Sequence, residues 1–368
     1  MRAGTLAIET QREDLSLATL LDFASRQNPK RGFLFVSKVL GKHIPCRPSS
    51  MRVVYDRLAA QLPNLPGPVI AIGMAETATA LGGGVADSLA RRTVRDDVFY
   101  LHTTRHYLAA PILLRFDESH SHAPDHILYA PCTRQGEIFQ HAQSLLLIDD
   151  EISTGRTLAL LAKGLAAHMP RLKKIVLVSI VNWLSTERQH ALAQQIPVAI
   201  AFANLLEGQF DFQPDPSFTP SLPTVTSAQR RSRYARDDTD RVGLRLPASA
   251  QQLPLHESPS GPLVIVGTGE FAFIPFLAAE CLEQKGRDVL FQSTTRSPII
   301  EGEAIQSKLV FNDEHDEGIV NYIYNLPNDR QVIAVYEHTA MARAHEFPKL
   351  VNATVWALPK HASAKVLQ

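Results

Sequence analysis

The sequence predicts an α/β fold made of two units, and three observations support this. Short apolar runs alternate with helical stretches, which is typical of a parallel sheet with helices on both faces. A chain of 368 residues is long enough for two domains. Eight of the 24 prolines fall between residues 211 and 262, where the alternation stops. We therefore expect a larger first unit and a smaller, Rossmann-like second unit on either side of this stretch.

Composition excludes several classes of protein. The 37 Lys and Arg residues balance 37 Asp and Glu residues, whereas a dedicated nucleic-acid binder usually carries a basic excess. Three widely spaced cysteines form neither a disulfide framework nor a zinc motif. The N-terminus lacks the apolar core of a signal peptide, and no window reaches the ~20 apolar residues that span a membrane. We expect a cytoplasmic protein with neither membrane nor nucleic-acid partners; a homodimer remains open.

The first unit, residues 1–210, contains four predicted strands and two predicted helices that alternate in the order of a parallel sheet. In chain order these are the strand PVIAIG (68–73), the helix ATALGGGVADSLARR (78–92), the strand VFYLHTT (98–104), the strand SLLLID (144–149), the helix TGRTLALLAKGLAAHM (154–169) and the strand KIVLVSIVNW (174–183). A further strand, PVAIAFANLL (197–206), follows them.

Residues 211–260 predict a linker or extended arm, since a proline-rich segment with little apolar periodicity buries too little surface to offset its ordering entropy. Its arginines are either solvated or reach a phosphate-bearing site: Arg230, Arg231, Arg233, Arg236, Arg241 and Arg245. The second unit, residues 261–368, restarts the alternation with LVIVG, FAFIPFLAAECLEQKG and DVLFQS, and adds the strands RQVIAVYEH and ATVWAL.

The most informative segment is LLLIDDEISTGRT, residues 145–157. Apolar residues run into Asp149 and Asp150, and a Thr-Gly-x-Thr turn then opens a helix. Ligands of open α/β sheets bind at the carboxyl ends of strands, and free N–H groups at a helix start bind anions. Gly155 lets the backbone approach a phosphate closely. The two carboxylates suit sugar hydroxyls.

This segment resembles the phosphoribosyl diphosphate (PRPP) signature of the type I phosphoribosyltransferases at every defined position. The resemblance implies that Asp149 and Asp150 bind the ribose hydroxyls and contribute to a magnesium site held mainly by PRPP and water. It implies that the 5-phosphate is bound by Ser153, Thr154, Gly155, Arg156 and Thr157. Purine-salvage members carry an aspartate where this chain has Ser153, so simple hypoxanthine or guanine salvage is not indicated.

The resemblance also implies a diphosphate-binding loop after the strand 68–73, often with a non-proline cis peptide. Its residues would be Ala75, Glu76, Thr77 and Ala78, with Thr77 facing the diphosphate. Glu76 is unusual beside an anion and would either help hold magnesium or orient the acceptor. The alternative is a glycine-rich helix start that packs against the sheet.

Residues 102–131, here called the hood segment, hold five of the fourteen histidines. In the family that this chain resembles, a flexible loop closes over the reaction centre and excludes water. Arg105 would neutralise the leaving diphosphate, and His120 or His122 would move the proton. Two alternatives remain for this segment: a solvated loop, and a metal site formed by the His-x-His-x3-His spacing.

The second unit carries two candidate ligand strings. The string GTGEFA, residues 267–272, fits the G-x-G-x-x-G/A dinucleotide fingerprint, with Gly267, Thr268, Gly269 and Glu270 as the candidate ligand residues, but the acid expected after the next strand is missing. That position holds Thr294, Thr295, Arg296 and Ser297, which favour an anion. NADP, a phosphate, a nucleotide, the acceptor, or simple close packing all remain open. The Thr-Arg-Ser-Pro string resembles the TRSP domain, which follows a phosphoribosyltransferase domain in bacterial proteins linked to tellurium-resistance and stress gene clusters.

Together these resemblances imply a magnesium-dependent transferase that moves the 5-phosphoribosyl group from PRPP to a base-like acceptor and releases diphosphate. Such proteins are proposed to make a nucleoside-like metabolite. Two alternatives remain: cleavage of a nucleotide by diphosphate, and a non-catalytic sensor of PRPP or a nucleotide.

Overall fold

The computed structural model describes residues 1–28, 31–108, 110–117, 125–131, 133–219 and 239–359. A seven-stranded sheet is the frame of the first region. Its strands, in spatial order, are β1 (Gly4–Glu13), β10 (Ala199–Pro214), β9 (Lys174–Asn182), β8 (Ser144–Ile152), β4 (Val69–Gly73), β5 (Val98–His102) and β11 (Leu244–Leu246). The five central strands are parallel, and the two edge strands are antiparallel to their neighbours. The α/β prediction is therefore confirmed.

Helices cover the sheet, which explains why its central strands are continuous apolar runs rather than alternating ones. Every residue of β4 and β5 is buried. The helices of this region are α2 (Pro48–Gln61), α3 (Thr79–Thr93), α5 (Arg156–His168) and α6 (Thr186–Gln194). α3 packs on β4, β5 and β8, so its start is fixed beside the carboxyl end of β4.

Two antiparallel hairpins add to the first region, and neither was predicted from the sequence. Helix α1 (Leu17–Leu20) leads into β2 (Leu21–Ser25), which pairs with β3 (Phe33–Ser37). Within the hood segment, β6 (Ile112–Asp117) pairs with β7 (Asp125–Tyr129), and α4 (Thr133–His141) follows. Both hairpins lie outside the large sheet.

The second region contains a four-stranded parallel sheet in the order β13 (Val289–Ser293), β12 (Leu263–Gly267), β16 (Gln331–Tyr336) and β17 (Thr354–Ala357). A separate antiparallel pair joins β14 (Lys308–Asn312) to β15 (Val320–Tyr324). Its helices are α7 (Phe273–Gln284), α8 (Thr339–Ala344) and α9 (Phe347–Leu350). The prediction of a second, smaller α/β unit is confirmed.

The two regions share a hydrophobic core, because α7 packs on α2 and α3. The Gly82-Gly83-Gly84 run of α3 makes this approach possible. A Cβ on Gly83 would collide with the Phe273 ring of α7, and one on Gly84 would collide with Tyr55 of α2. Gly83 therefore allows the second region to pack closely on α3, and Gly84 allows the close packing of α2 on the same helix.

The segment predicted as an arm begins and ends in regular structure. Strand β10 continues to Pro214 because it pairs with β1, with Gly4 opposite Pro214. Residues 239–259 lie against both regions, with β11 at the edge of the large sheet. Arg241 is fully buried between the carboxylates of Glu270 and Glu337, so its expected solvent or phosphate environment was wrong: a buried guanidinium group requires carboxylate partners. Arg245, in contrast, is exposed and pairs with Asp96 at the surface, which agrees with the solvated alternative.

The four arginines from 230 to 236 lie outside the described residues. The limits of the two domains stay a prediction. No helix in the described ranges is long and apolar enough to cross a membrane.

Candidate functional site

The PRPP-signature residues lie at the carboxyl end of β8. Four buried apolar residues, 145–148, precede Asp149 and Asp150, and helix α5 begins at Arg156. Gly155 has a φ of +68°, the left-handed conformation that favours glycine, and a Cβ there would collide with Leu192. The turn therefore brings the first backbone N–H groups of α5 beside the two carboxylates.

The acidic pair continues into a third carboxylate, Glu151. Desolvation and the charge of Glu151 raise the pKa of Asp150 to about 6. Glu151 accepts a hydrogen bond of 2.6 Å from Nη2 of Arg31 and one of 3.4 Å from Nε1 of Trp183. Neither partner was predicted from the sequence, because Arg31 lies in the β2–β3 hairpin and Trp183 follows β9.

The loop at residues 74–78 lies beside the signature loop, because β4 and β8 are neighbours. Its Ala75–Glu76 peptide bond is cis, as the resemblance implies. The N–H of Ala75 donates to Oγ1 of Thr103 at 2.8 Å. Ala78 is the N-cap residue immediately before helix α3 and is fully buried, so it lies behind the loop rather than on its open side.

Glu76 carries the charge of this loop. Nζ of the buried Lys42 lies 2.9 Å from Oε1 of Glu76, and the backbone N–H of Arg296 donates to both carboxylate oxygens at 3.2 and 3.4 Å. Burial disfavours the charged form, but the nearby Lys42 and Arg296 outweigh it and hold the pKa of Glu76 below its ordinary value. Lys42 could not be found from the sequence because 34 residues separate it from Glu76.

Arg105 follows β5, the other neighbour of β4. Its backbone N–H donates to Oε1 of Glu270 at 2.8 Å, and the Thr104 hydroxyl donates to the other oxygen. His120 and His122, the predicted proton carriers, lie outside the described residues. Of the other hood histidines, His126 stacks on Phe116 with ring centroids 5.2 Å apart.

An aromatic wall faces these loops, and the sequence did not indicate it. The Phe35 and Trp183 rings are stacked with centroids 4.8 Å apart, and the Phe210 ring meets both edge-on. The guanidinium carbon of Arg31 lies 4.7 Å from the centroid of Phe33. The wall combines residues of β3, β9–α6 and β10, which are distant in sequence.

These elements enclose a cavity of about 920 Å³. Its lining includes most of the predicted site residues and also Phe33, Phe35, Trp183 and Phe210. The predicted residues on its wall are Asp149, Asp150, Ser153, Thr154, Gly155, Arg156, Thr157, Ala75, Glu76, Thr77, Arg105, Thr295, Arg296 and Ser297. Residues of both regions therefore line one cavity.

The remaining second-region residues lie behind that wall, namely Gly267, Thr268, Gly269, Glu270 and Thr294. A Cβ on Gly269 would collide with Oε1 of Glu314, so a protein carboxylate lies where a dinucleotide phosphate would approach. Thr294 does not line the cavity. Its Oγ1 accepts a hydrogen bond of 2.7 Å from the N–H of Gly269. These glycines therefore allow close packing of protein groups.

Among the described residues, one buried cluster of potential metal-ligating side chains lies beside Arg296. His106, Glu314 and His315 bring ligand atoms within 4.8 Å of one another. The two imidazole rings are 3.7 Å apart, and Nη2 of Arg296 lies 3.0 Å from Nε2 of His106. The guanidinium group of Arg296 also lies 3.4 Å from Nδ1 of His106, so a positive charge is already present beside this cluster. The predicted His-x-His-x3-His metal motif falls partly outside the described residues.

Comparison with protein-family models shows the family of this chain. The model described as "Phosphoribosyl transferase" matches residues 20–209, more than half of the chain. The chain belongs to this family. The model described as "TRSP domain C terminus to PRTase_2" matches residues 231–353, so the predicted fusion is confirmed. The protein is therefore an enzyme of the phosphoribosyltransferase type.

Solved structures show similarity at low identity. Adenine phosphoribosyltransferase from Giardia lamblia, complexed with 9-deazaadenine, is 16% identical, with a TM-score of 0.37 over 53% of this chain and 98% of that chain. The Trypanosoma brucei adenine enzyme is 15% identical, with a TM-score of 0.34 over 50% and 76%. Orotate phosphoribosyltransferase from Aeropyrum pernix is 15% identical, with a TM-score of 0.27 over 47% and 79%. No curated protein matches the chain.

Proposed function

We propose that the protein transfers the 5-phosphoribosyl group of PRPP to a planar, base-like acceptor, with Mg²⁺, and releases diphosphate. The observation that carries this proposal is the single cavity in which the signature loop, the 74–78 loop and the aromatic wall face one another. Its volume of about 920 Å³ accommodates PRPP and a ring compound together.

The donor end of the cavity suits PRPP. Asp149 and Asp150 accept hydrogen bonds from the ribose hydroxyls, since ionised carboxylates only accept. The backbone N–H groups of residues 153–157 and the hydroxyls of Thr154 and Thr157 bind the 5-phosphate. Arg105, three residues after β5, stabilises the charge on the leaving diphosphate.

The carboxylate donors in the cavity fit Mg²⁺, which prefers oxygen ligands and keeps several waters. Asp149 and Asp150 supply two such groups beside the proposed ribose site. When bound, Mg²⁺ reduces the negative charge on the diphosphate oxygens. Glu76 is less suited to this role because Lys42 and Arg296 already neutralise it.

The acceptor end suits a planar ring. Phe35 and Trp183 offer faces and edges against which such a ring packs, while Glu151 supplies an acceptor for its N–H. In the transfer, the acceptor nitrogen bonds to C1 of the ribose and the bond from C1 to the diphosphate oxygen breaks. The electron pair leaves with diphosphate, and Glu151 takes the acceptor proton. The nucleoside-like product and the stress-related role remain part of this proposal.

The test is diphosphate release from PRPP and Mg²⁺ in the presence of a panel of planar acceptors, including adenine, orotate, cytosine and nicotinate. We expect at least one panel member to support release, and the Asp149→Asn/Asp150→Asn variant to support none. Release by that variant at the wild-type rate would overturn the proposal.

A further inference from the structure

Arg296 of the TRSP region lies on the wall of the transferase cavity, next to the 74–78 loop. Its backbone N–H binds Glu76, and its Nε is 3.9 Å from Oε2 of the same carboxylate. Only 11% of each of these two side chains is exposed. Two parts of the chain that are 220 residues apart therefore meet at the proposed diphosphate end of the cavity.

The guanidinium group of Arg296 is not fully paired. Nη2 contacts His106, but the buried Nη1 has no hydrogen-bond partner among the described residues. A buried donor without an acceptor costs about 1–3 kcal/mol, so such groups are usually satisfied by protein, water or a ligand. The planar fork of arginine suits phosphate oxygens in particular.

We propose that Arg296 binds the diphosphate of PRPP, so that the TRSP region supplies a substrate-binding side chain to the transferase site. This inference rests on the proposed function. As the bond from C1 to the diphosphate oxygen breaks, negative charge accumulates on the leaving group, and a fixed guanidinium group stabilises it without a covalent step. Glu76 is a positioning residue, because its carboxylate holds the backbone of Arg296 and the amine of Lys42 beside the loop.

The geometry favours diphosphate over a separate nucleotide ligand. Thr295, Arg296 and Ser297 line the same cavity as the PRPP signature. The glycine turn that would bind a dinucleotide is closed by Glu314. The Thr-Arg-Ser-Pro string therefore faces the donor substrate of the first region.

The experiment compares the binding of PRPP with the binding of its two component groups. PRPP, ribose 5-phosphate and inorganic diphosphate, each with Mg²⁺, are titrated calorimetrically into the full-length wild type and the Arg296→Gln variant. We expect Arg296→Gln to weaken the binding of PRPP and of diphosphate by about tenfold or more, because one charged hydrogen bond is lost. The affinity for ribose 5-phosphate should change by less than about twofold. Arg343→Gln, which alters an exposed arginine of α8 that does not line the cavity, is the matched control and is expected to change the affinity for none of the three ligands.

The outcomes separate the two proposals. If the wild type binds neither PRPP nor ribose 5-phosphate, the proposed function fails. If it binds both, and Arg296→Gln weakens all three ligands equally or none, the inference fails. Arg296→Lys is a second, more conservative variant, which keeps the positive charge but lacks the planar guanidinium group. An intermediate loss confined to PRPP and diphosphate is expected, and an equal loss across the three ligands would overturn the inference.

Discussion

The backbone N–H of Arg296 donates to the carboxylate of Glu76 at 3.2 Å, across the contact between the two regions. A second contact of this kind joins the N–H of Arg105 to Glu270 at 2.8 Å. The two loops that flank the proposed diphosphate position are thus each held by a residue of the TRSP region. The TRSP region is part of the cavity's frame.

The Glu76–Lys42 pair predicts a measurable effect on stability. Glu76→Gln keeps the size of the side chain but leaves the buried Lys42 without its counter-charge. Breaking a buried ion pair at one partner is strongly destabilising, so we expect the free energy of unfolding in urea to fall by about 3 kcal/mol. The Lys42→Met/Glu76→Gln double variant should recover much of this loss. A double variant as unstable as Glu76→Gln alone would show that the pair does not act as described.

The left-handed conformation of Gly155 should make the turn of the signature loop sensitive to substitution. Gly155→Ala places a Cβ at a φ of +68° and against Leu192, so we expect a loss of about 1–3 kcal/mol in unfolding free energy and weaker binding of PRPP. Gly136→Ala is the matched control, because it lies in helix α4 with open space around it and alanine favours helices. Equal stability of the two variants would contradict the conformation described for the loop.

Asp150 predicts a pH dependence of PRPP binding. Its pKa is raised to about 6, so the carboxylate is ionised above that pH and protonated below it. Because only the ionised form accepts from both ribose hydroxyls, PRPP affinity measured without Mg²⁺ should be full near pH 7.5 and fall as pH drops through 6. The PRPP phosphates also titrate near pH 6, and Asp150→Asn isolates their contribution. An identical pH profile in both proteins would contradict the assignment.

Trp183 predicts a fluorescence signal from the acceptor end. The chain has two tryptophans, and Trp356 lies in β17 of the second region. We expect a planar acceptor that supports diphosphate release to quench the emission of the wild type in the presence of PRPP, because it packs beside the indole. The Trp183→Phe variant should lose that quenching and retain PRPP binding. Quenching that persists in Trp183→Phe would place the acceptor elsewhere.

The sequence predicted those parts of the site that are local in the chain. Residues 145–157 form one strand, turn and helix start, so residue types and spacing sufficed to place Asp149, Asp150 and the 153–157 turn together on the cavity wall. The same holds for the alternation that predicts both parallel sheets. Lys42, Glu151's partner Arg31 and Trp183 could not be found in this way, because only the packing of distant strands brings them to the cavity. The Gly267–Gly269 turn fits a ligand fingerprint, yet the approach of Glu314 decides its role, and no local pattern encodes that approach.

The central claim is that Asp149 and Asp150 lie at a ribose-binding site for PRPP. Calorimetric titration of PRPP with Mg²⁺ into the wild type and into Asp149→Asn/Asp150→Asn tests it most directly, with thermal melting to confirm that both proteins are folded. The account predicts saturable, one-site binding by the wild type and binding weakened by at least about tenfold in the folded variant. Equal PRPP affinity in the two folded proteins, or none in the wild type, would contradict it.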